Sequence, residues 1–244
     1  MKLFKSIKQQ IPNFITLGNL LCGVESVFAS LALHDATAAA LWICAGIFLD
    51  FFDGMAARLL KVPSELGKQL DSLADVVTSG VAPAFLMVLL VEEPLRSLVP
   101  LWGTMLVMLP FVLMPLFAAY RLAKFNIDTR QSHSFLGLPV PSNALIWVGL
   151  ALTGYVVGSL SAGIALAVVA MATNILMISE MPMFSLKFNF RDLSWSTNRI
   201  QYIFLAGCLL LILITRQWYA ISLIILWYIL LSLLTQNKQN KHDQ

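Results

Sequence analysis

Eight apolar runs, each close to the roughly 20 residues a helix needs to cross a bilayer, leave this chain few folds to choose from. They run approximately from Asn13 to Leu33, Thr37 to Leu60, Leu66 to Val91, Leu101 to Tyr120, Ser142 to Gly158, Ala162 to Ser179, Arg199 to Thr215 and Trp218 to Leu234. Of the 244 residues 59% are hydrophobic and 12% charged, with a mean hydropathy of +0.80, against about 25% charged in soluble domains. Soluble, disordered, collagen-like and disulfide-stapled classes are excluded. The expected fold is an all-α polytopic membrane protein of about eight transmembrane helices. Cys22, Cys44 and Cys208 all lie inside apolar runs and read as small core residues.

Orientation follows from the cations, which favour cytoplasmic loops. If the spans alternate, Lys2, Lys5, Lys8, Arg58, Lys61, Lys68, Arg121, Lys124, Arg130, Lys187, Arg191, Arg199, Lys238 and Lys241 share one side, leaving Arg96 and Arg216 opposite. Both termini are therefore expected in the cytoplasm, and the even span count is reinforced. The net charge of +3 is too small to suggest nucleic acid as a partner. The opening run is too long for a secretory signal peptide and reads as a complete span.

The chain reads as one membrane domain over residues 1–244, with no internal repeat or linker. Residues 1–11 place Leu3, Phe4, Ile7 and Ile11 on one helical face and suggest an amphipathic helix lying on anionic headgroups; a topology-fixing tail is the alternative. Pro12 suits the first turn of the opening span. Residues 13–234 form the transmembrane bundle, and 235–244 form a polar cytoplasmic tail.

Ionisable groups at membrane depth are costly and usually mark function. Here they concentrate where the second run ends and the third begins. Asp50 and Asp53 are three apart and Asp71 and Asp75 four apart, so each pair shares a helix face. The short connection makes the two helices antiparallel neighbours, so four carboxylates can converge. Like charges this close need a positive partner. Arg58 and Lys68 offer two charges, but hard divalent cations with all-oxygen ligands fit better, and two ions suit two carboxylate pairs. Such a centre would clamp a phosphate or pyrophosphate, with Gly54, Ala57 and Gly67 letting a ligand approach the backbone. A proton or cation path in a carrier is the competing use of such acids. Small residues interleaved with the acids, and nearly bare remaining spans, weigh against it.

The pattern Asp50-x2-Asp53-Gly54-x2-Ala57-Arg58-x8-Gly67-x3-Asp71-x3-Asp75 resembles, position for position, the signature of the CDP-alcohol phosphotransferase family. The resemblance implies that family's helical bundle, a homodimer, and transfer of a phosphatidyl-type group from a CDP-linked lipid to an alcohol. It further implies that Asp50, Asp53, Asp71 and Asp75 hold two divalent ions, Mg2+ or Mn2+, that Asp75 is also the general base, and that Gly54, Ala57, Arg58 and Gly67 hold CDP.

The segments Ile11 to Thr16, Ser64 to Gly67, Leu70 to Asp75, Arg121 to Asn126 and Gly137 to Pro141 are similar to the phosphatidylserine-forming branch of that family. This similarity covers most of the first 190 residues and is weak in the last two spans. It implies CDP-diacylglycerol and L-serine as substrates. Arg121 is the expected clamp for the serine carboxylate and Asn126 an orienting group; ordinary positive-inside bias explains Arg121, Lys124 and Arg130 equally well. Glycerol 3-phosphate or inositol phosphate as acceptor would also want cations there.

On the first run Asn13, Thr16, Asn19, Gly23, Ser26 and Ser30 recur at helical spacing, a polar and small-residue stripe that should face protein or water. Asn13 and Thr16 are placed to hydrogen-bond the cytidine or its ribose. Glu25, beside the stripe, is expected protonated and hydrogen-bonded. Residues Glu180 to Asn198 carry Lys187 and Arg191 among phenylalanines, as a surface loop or an interfacial cover. His34, His133 and His242 have no partner in view. The combined expectation is a multi-pass enzyme of the cell membrane, with its active site at the cytoplasmic face.

Overall fold

The computed structural model describes residues 2–62, 64–128, 135–184 and 194–239. Helix α1 (Lys2–Phe28) continues through a π-turn at Ala29–Leu33 and ends at His34, which adopts a left-handed conformation. Helix α2 (Ala36–Leu60) begins where the Asp35 side chain accepts from Ala38 N at 2.9 Å, and Lys61 ends it in the left-handed region. Helix α3 (Glu65–Asp75), capped by Ser64, passes through a second π-turn at Val76–Val81 into α4 (Ala82–Arg96). Pro83 follows this turn; a proline has no N–H to offer the preceding turn and crowds it, so a wider turn relieves the backbone. Helices α5 (Leu101–Ile127), α6 (Val140–Ala151), α7 (Leu160–Ile178), α8 (Trp195–Thr215) and α9 (Ala220–Gln239) complete the bundle.

All eight apolar runs form helices, but not with equal reach. Six are long and apolar enough to cross a membrane, with α3 and α4 acting as one; Val140–Ala151 and Ala220–Thr235 are shorter. At 1.5 Å per residue the twelve residues of α6 rise about 18 Å, less than the roughly 30 Å of hydrocarbon. Its expected end at Gly158 is too late, because the chain turns after Ala151 and Gly154 adopts a positive φ of 68°. This short helix is tolerated because most of it is buried among its neighbours, where Trp147 meets Phe111 edge-on at 5.5 Å. At the opposite extreme α8 is almost wholly unburied by the rest of the chain.

Two further expectations are corrected. Pro12 does not open a span; it lies inside α1, which is continuous from Lys2. The carbonyl deprived of its partner by Pro12 belongs to Lys8, an exposed residue that can be solvated. Side chains 1–7 lie outside the described residues, as do His133, residues 185–193 and His242. Glu25 is half-buried and accepts no hydrogen bond among the described residues; the next residue, Ser26, donates its hydroxyl to the Ala39 carbonyl at 2.8 Å.

The stripe on α1 faces protein along its whole length. Asn13, Thr16, Asn19, Gly23, Ser26 and Ser30 are all buried, whereas Phe14, Leu17, Leu21, Val24 and Phe28 face outward. Its glycines are needed for space. A Cβ on Gly23 would stand 2.9 Å from both the backbone N and Cα of Thr78, and one on Gly46 of α2 would collide with the Thr78 methyl group. Thr78, in the π-turn, thus wedges between α1 and α2 and donates to the Asn19 carbonyl at 2.9 Å. On the connectors flanking α6 and α7, strand β1 (Phe135–Leu136) pairs antiparallel with β2 (Pro182–Met183). Gly137, at φ 73°, closes that clasp through its N–H to Met181 O at 2.8 Å.

Gly46→Ala is expected to destabilise the protein by about 1–3 kcal/mol in detergent thermal unfolding, the usual cost of overpacking. Thr78→Ser, which deletes the colliding methyl, should recover part of that loss. It should not recover Gly23→Ala, whose clash is with the Thr78 backbone.

Candidate active site

The C-terminal half of α2 and the second half of α3 bring the acids together as their spacing requires. One oxygen each of Asp50, Asp53 and Asp71 lies within 4.8 Å of the others. Asp75 stands outside this trio, one turn further along α3, and is only 8% exposed. It remains close enough to Asp50 and Asp71 for their charges to interact. The expected convergence of four acids is therefore three acids plus a fourth set apart, because the four-residue step along α3 carries Asp75 one turn beyond the trio.

Among the described residues no protein cation pairs with the trio. Arg58 is exposed and turns its Nε to the Gly54 carbonyl at 3.0 Å. Lys68 reaches across to the Asn126 carbonyl at 2.8 Å. The ion pairs among the described residues are Arg96–Glu92 and Lys124–Glu180, the latter at 3.1 Å. Three carboxylates held together without a cation, in oxygen-only company, are the donor set a hard divalent ion takes. Asp50, Asp53 and Asp71 thus fit such an ion.

The trio is oriented by uncharged donors from α1. Thr16 Oγ1 lies 2.6 Å from Asp53 Oδ2 and 3.0 Å from the Pro12 carbonyl, so its single proton serves the carboxylate. Asn19 Nδ2 donates to Asp75 Oδ1 at 3.3 Å. These bonds were not read from the sequence, which assigned Thr16 to the nucleotide and Asn19 only to the stripe. The signal was there in their i, i+3 spacing; what was missing was the knowledge that α1 packs on the acid-bearing helices.

Beside the trio a cavity of about 230 Å³ is lined by Asn13, Thr16, Gly54, Ala57, Gly67 and Lys68 together with Asp53 and Asp71. The small residues expected at the CDP site therefore line one hollow; Arg58 lies outside it. A Cβ on Gly54 would meet nothing within 4 Å, so open space adjoins the acids there. A larger cavity of about 530 Å³ opens elsewhere in the bundle, lined by Ser30, His34, Glu92, Glu93 and Arg96, but the carboxylate trio is not part of it.

The two residues expected to bind serine part company. Arg121 on α5 is buried, with its guanidinium 5.1 Å from the Phe125 ring centre, its Nε without a hydrogen-bond partner, and its charge felt at Asp75. Asn126 instead ties α5 to α3: its Nδ2 donates to Ser72 Oγ at 2.7 Å while its carbonyl holds Lys68. Its position at the exposed end of α5 gives it helix neighbours to bond, so the expected role beside Arg121 is not what this geometry provides. Near Arg121 the structure adds Tyr228 of α9, whose hydroxyl donates to the Phe184 carbonyl at 3.2 Å. A tyrosine in an almost featureless apolar run offered no signal of this.

Helices long and apolar enough to span a membrane, with a hard-cation donor set on two antiparallel helices beside a small-residue hollow, define an integral-membrane class of metal-dependent design. The chain belongs to the CDP-alcohol phosphatidyltransferase family, whose model matches residues 9–176. It is similar to proteins named CDP-diacylglycerol--serine O-phosphatidyltransferase in several organisms. The Bacillus subtilis (strain 168) protein is 40% identical over 149 residues, covering 59% of this chain and 76% of that relative. The Methanocaldococcus jannaschii protein is 30% identical over 173 residues, covering 70% and 71%. The Helicobacter pylori (strain J99) protein is 37% identical over 139 residues, and there the match spans about half of each chain, 56% and 55%. Helices α8 and α9 fall beyond the family match.

Asp71→Asn removes one of three mutually repelling charges. Without metal it is expected to melt higher than the parent; about 1 kcal/mol of relieved repulsion corresponds to ~2–4 °C in a chain of this size. It should also lose the Mn2+-dependent rise in melting temperature expected of the parent. Differential scanning fluorimetry with and without EDTA reads both.

Proposed function

We propose that this protein transfers the phosphatidyl group of CDP-diacylglycerol to L-serine, giving phosphatidylserine and CMP, at the cytoplasmic face of the cell membrane. The observation that carries the choice of acceptor is Arg121, the only buried cation among the described residues. One guanidinium matches one carboxylate through a bidentate pair. A sugar-phosphate acceptor, with its dianionic head, would call for more. Lys124 is engaged by Glu180, and Lys68 by the Asn126 carbonyl.

The serine hydroxyl attacks the lipid-side phosphorus of the pyrophosphate, the bond to the CMP oxygen breaks, and the hydroxyl proton passes to Asp75. Direct displacement accounts for the product without a covalent enzyme intermediate. Asp50, Asp53 and Asp71, with Asp75, would hold two divalent ions, Mg2+ or Mn2+; bound there, they supply charge neutralisation of the pyrophosphate and of the departing CMP. Asn13, Gly54, Ala57 and Gly67 receive the nucleotide in the small hollow, with Arg58 at its margin. The cytoplasmic orientation rests on the loop cations, and the homodimer on the family resemblance.

Purified protein given CDP-diacylglycerol, Mg2+ and labelled serine is expected to release CMP and form labelled phosphatidylserine. Lipid product from glycerol 3-phosphate or inositol phosphate, but none from serine, would replace the acceptor. No CMP release with any acceptor would favour a carrier built on the same acids. Arg121→Gln should raise the KM for serine roughly 10- to 100-fold, the loss of a charged hydrogen-bond pair, with little change in KM for the CDP-lipid. Asp75→Asn should abolish turnover while CDP-lipid binding persists.

A further inference from the structure

We infer that Asn19 is a positioning residue for Asp75, acting in the transfer reaction through the orientation of that carboxylate; the inference rests on the reading of Asp75 as the base. Asn19 is fully buried on the protein-facing side of α1. It grips the segment that carries Asp75 at two points. Its side-chain Nδ2 donates to Asp75 Oδ1 at 3.3 Å, and its backbone carbonyl accepts from Thr78 Oγ1 at 2.9 Å. The two points lie on either side of the place where α3 gives way to the π-turn. The turn is thereby held against α1, and Asp75 Oδ1 is engaged, while Oδ2 makes no hydrogen bond among the described residues. That free oxygen is the one available to the acceptor.

Packing alone does not explain an asparagine here. Asn19 Oδ1 is buried and has no hydrogen-bond partner, and a buried unpaired carbonyl oxygen costs about 1–3 kcal/mol. An apolar side chain of similar volume would avoid that cost. The space is also kept open for this side chain, since a Cβ on Gly46 would stand 2.9 Å from Asn19 Oδ1. One turn earlier on the same face, Thr16 holds Asp53 in the same manner. A residue that keeps an orphaned oxygen in order to present one N–H to a carboxylate serves the carboxylate rather than the fold.

The test is Asn19→Leu in the full-length protein, read by kinetics, by thermal unfolding and by Mn2+ titration. Expected are a kcat lowered roughly 10- to 100-fold, the usual effect of removing a partner that orients a ligand or base, and a KM for CDP-diacylglycerol within about threefold of the parent. The metal-free melting temperature should be equal or higher. The Mn2+ concentration giving half-maximal thermal stabilisation should rise, because Asp75 is no longer held. If the leucine variant does not insert, Asn19→Ala is read in the same way. An unchanged kcat and Mn2+ midpoint would overturn the inference, as would a fall in melting temperature with kcat and KM failing together, which marks a structural role. Failure of the parent protein to release CMP with any acceptor would defeat the proposed function instead; the Mn2+ midpoint still reports whether Asn19 holds Asp75.

Discussion

Mutual repulsion among carboxylates at the edge of a low-dielectric bundle is the constraint on which the rest of this structure depends. Among the described residues, Asp50, Asp53 and Asp71 converge without a cation of the protein's own between them. The two cations nearest in sequence, Arg58 and Lys68, are bonded to backbone carbonyls instead. What the bundle does supply is neutral: the hydroxyl of Thr16 and the amide of Asn19. Neutral donors fix the direction of a carboxylate without cancelling its charge, so the site keeps its demand for hard divalent cations. A salt bridge in the same place would have met that demand from within and left little for a pyrophosphate-bound ion to do.

Holding like charges together requires a rigid frame, and in a membrane the frame cannot rely on expelling water from apolar surfaces. Close approach and interhelical hydrogen bonding take over. Gly23 on α1 and Gly46 on α2 admit Thr78, and the π-turn that carries Thr78 is where α3 ends, immediately after Asp75. A close helix-to-helix approach is therefore adjacent to the carboxylates. On the other side, α5 brings the buried Arg121 toward Asp75, and Tyr228 of α9 approaches the same guanidinium. A helix outside the family match, α9, thus contributes to the surroundings of Arg121.

Much of this was legible in the chain. Spacings of three and four placed each aspartate pair on one helix face, and the polar stripe of α1 was recognisable as a protein-facing surface before its partners were known. The early end of α6 was not legible, because an apolar run reads alike whether it spans a bilayer or lies enclosed by other helices. The continuity of α1 through Pro12 was missed for a related reason: a proline's preference for a first turn yields when the carbonyl it orphans faces solvent. The partners of Asn126 and Tyr228 were hidden altogether, since each is paired with a residue distant in sequence.

Local order along the chain was thus sufficient to determine the membrane class, the family and the identity of the acids, because helical periodicity and motif spacing are properties of residues a few positions apart. Tertiary structure decided which acids form the trio and which one stands apart, which polar groups hold them, and which cation is buried. Those outcomes depend on distances between helices. Such distances are set by glycine clearances and buried hydrogen bonds between segments far apart in the chain, and no spacing within a single helix encodes them.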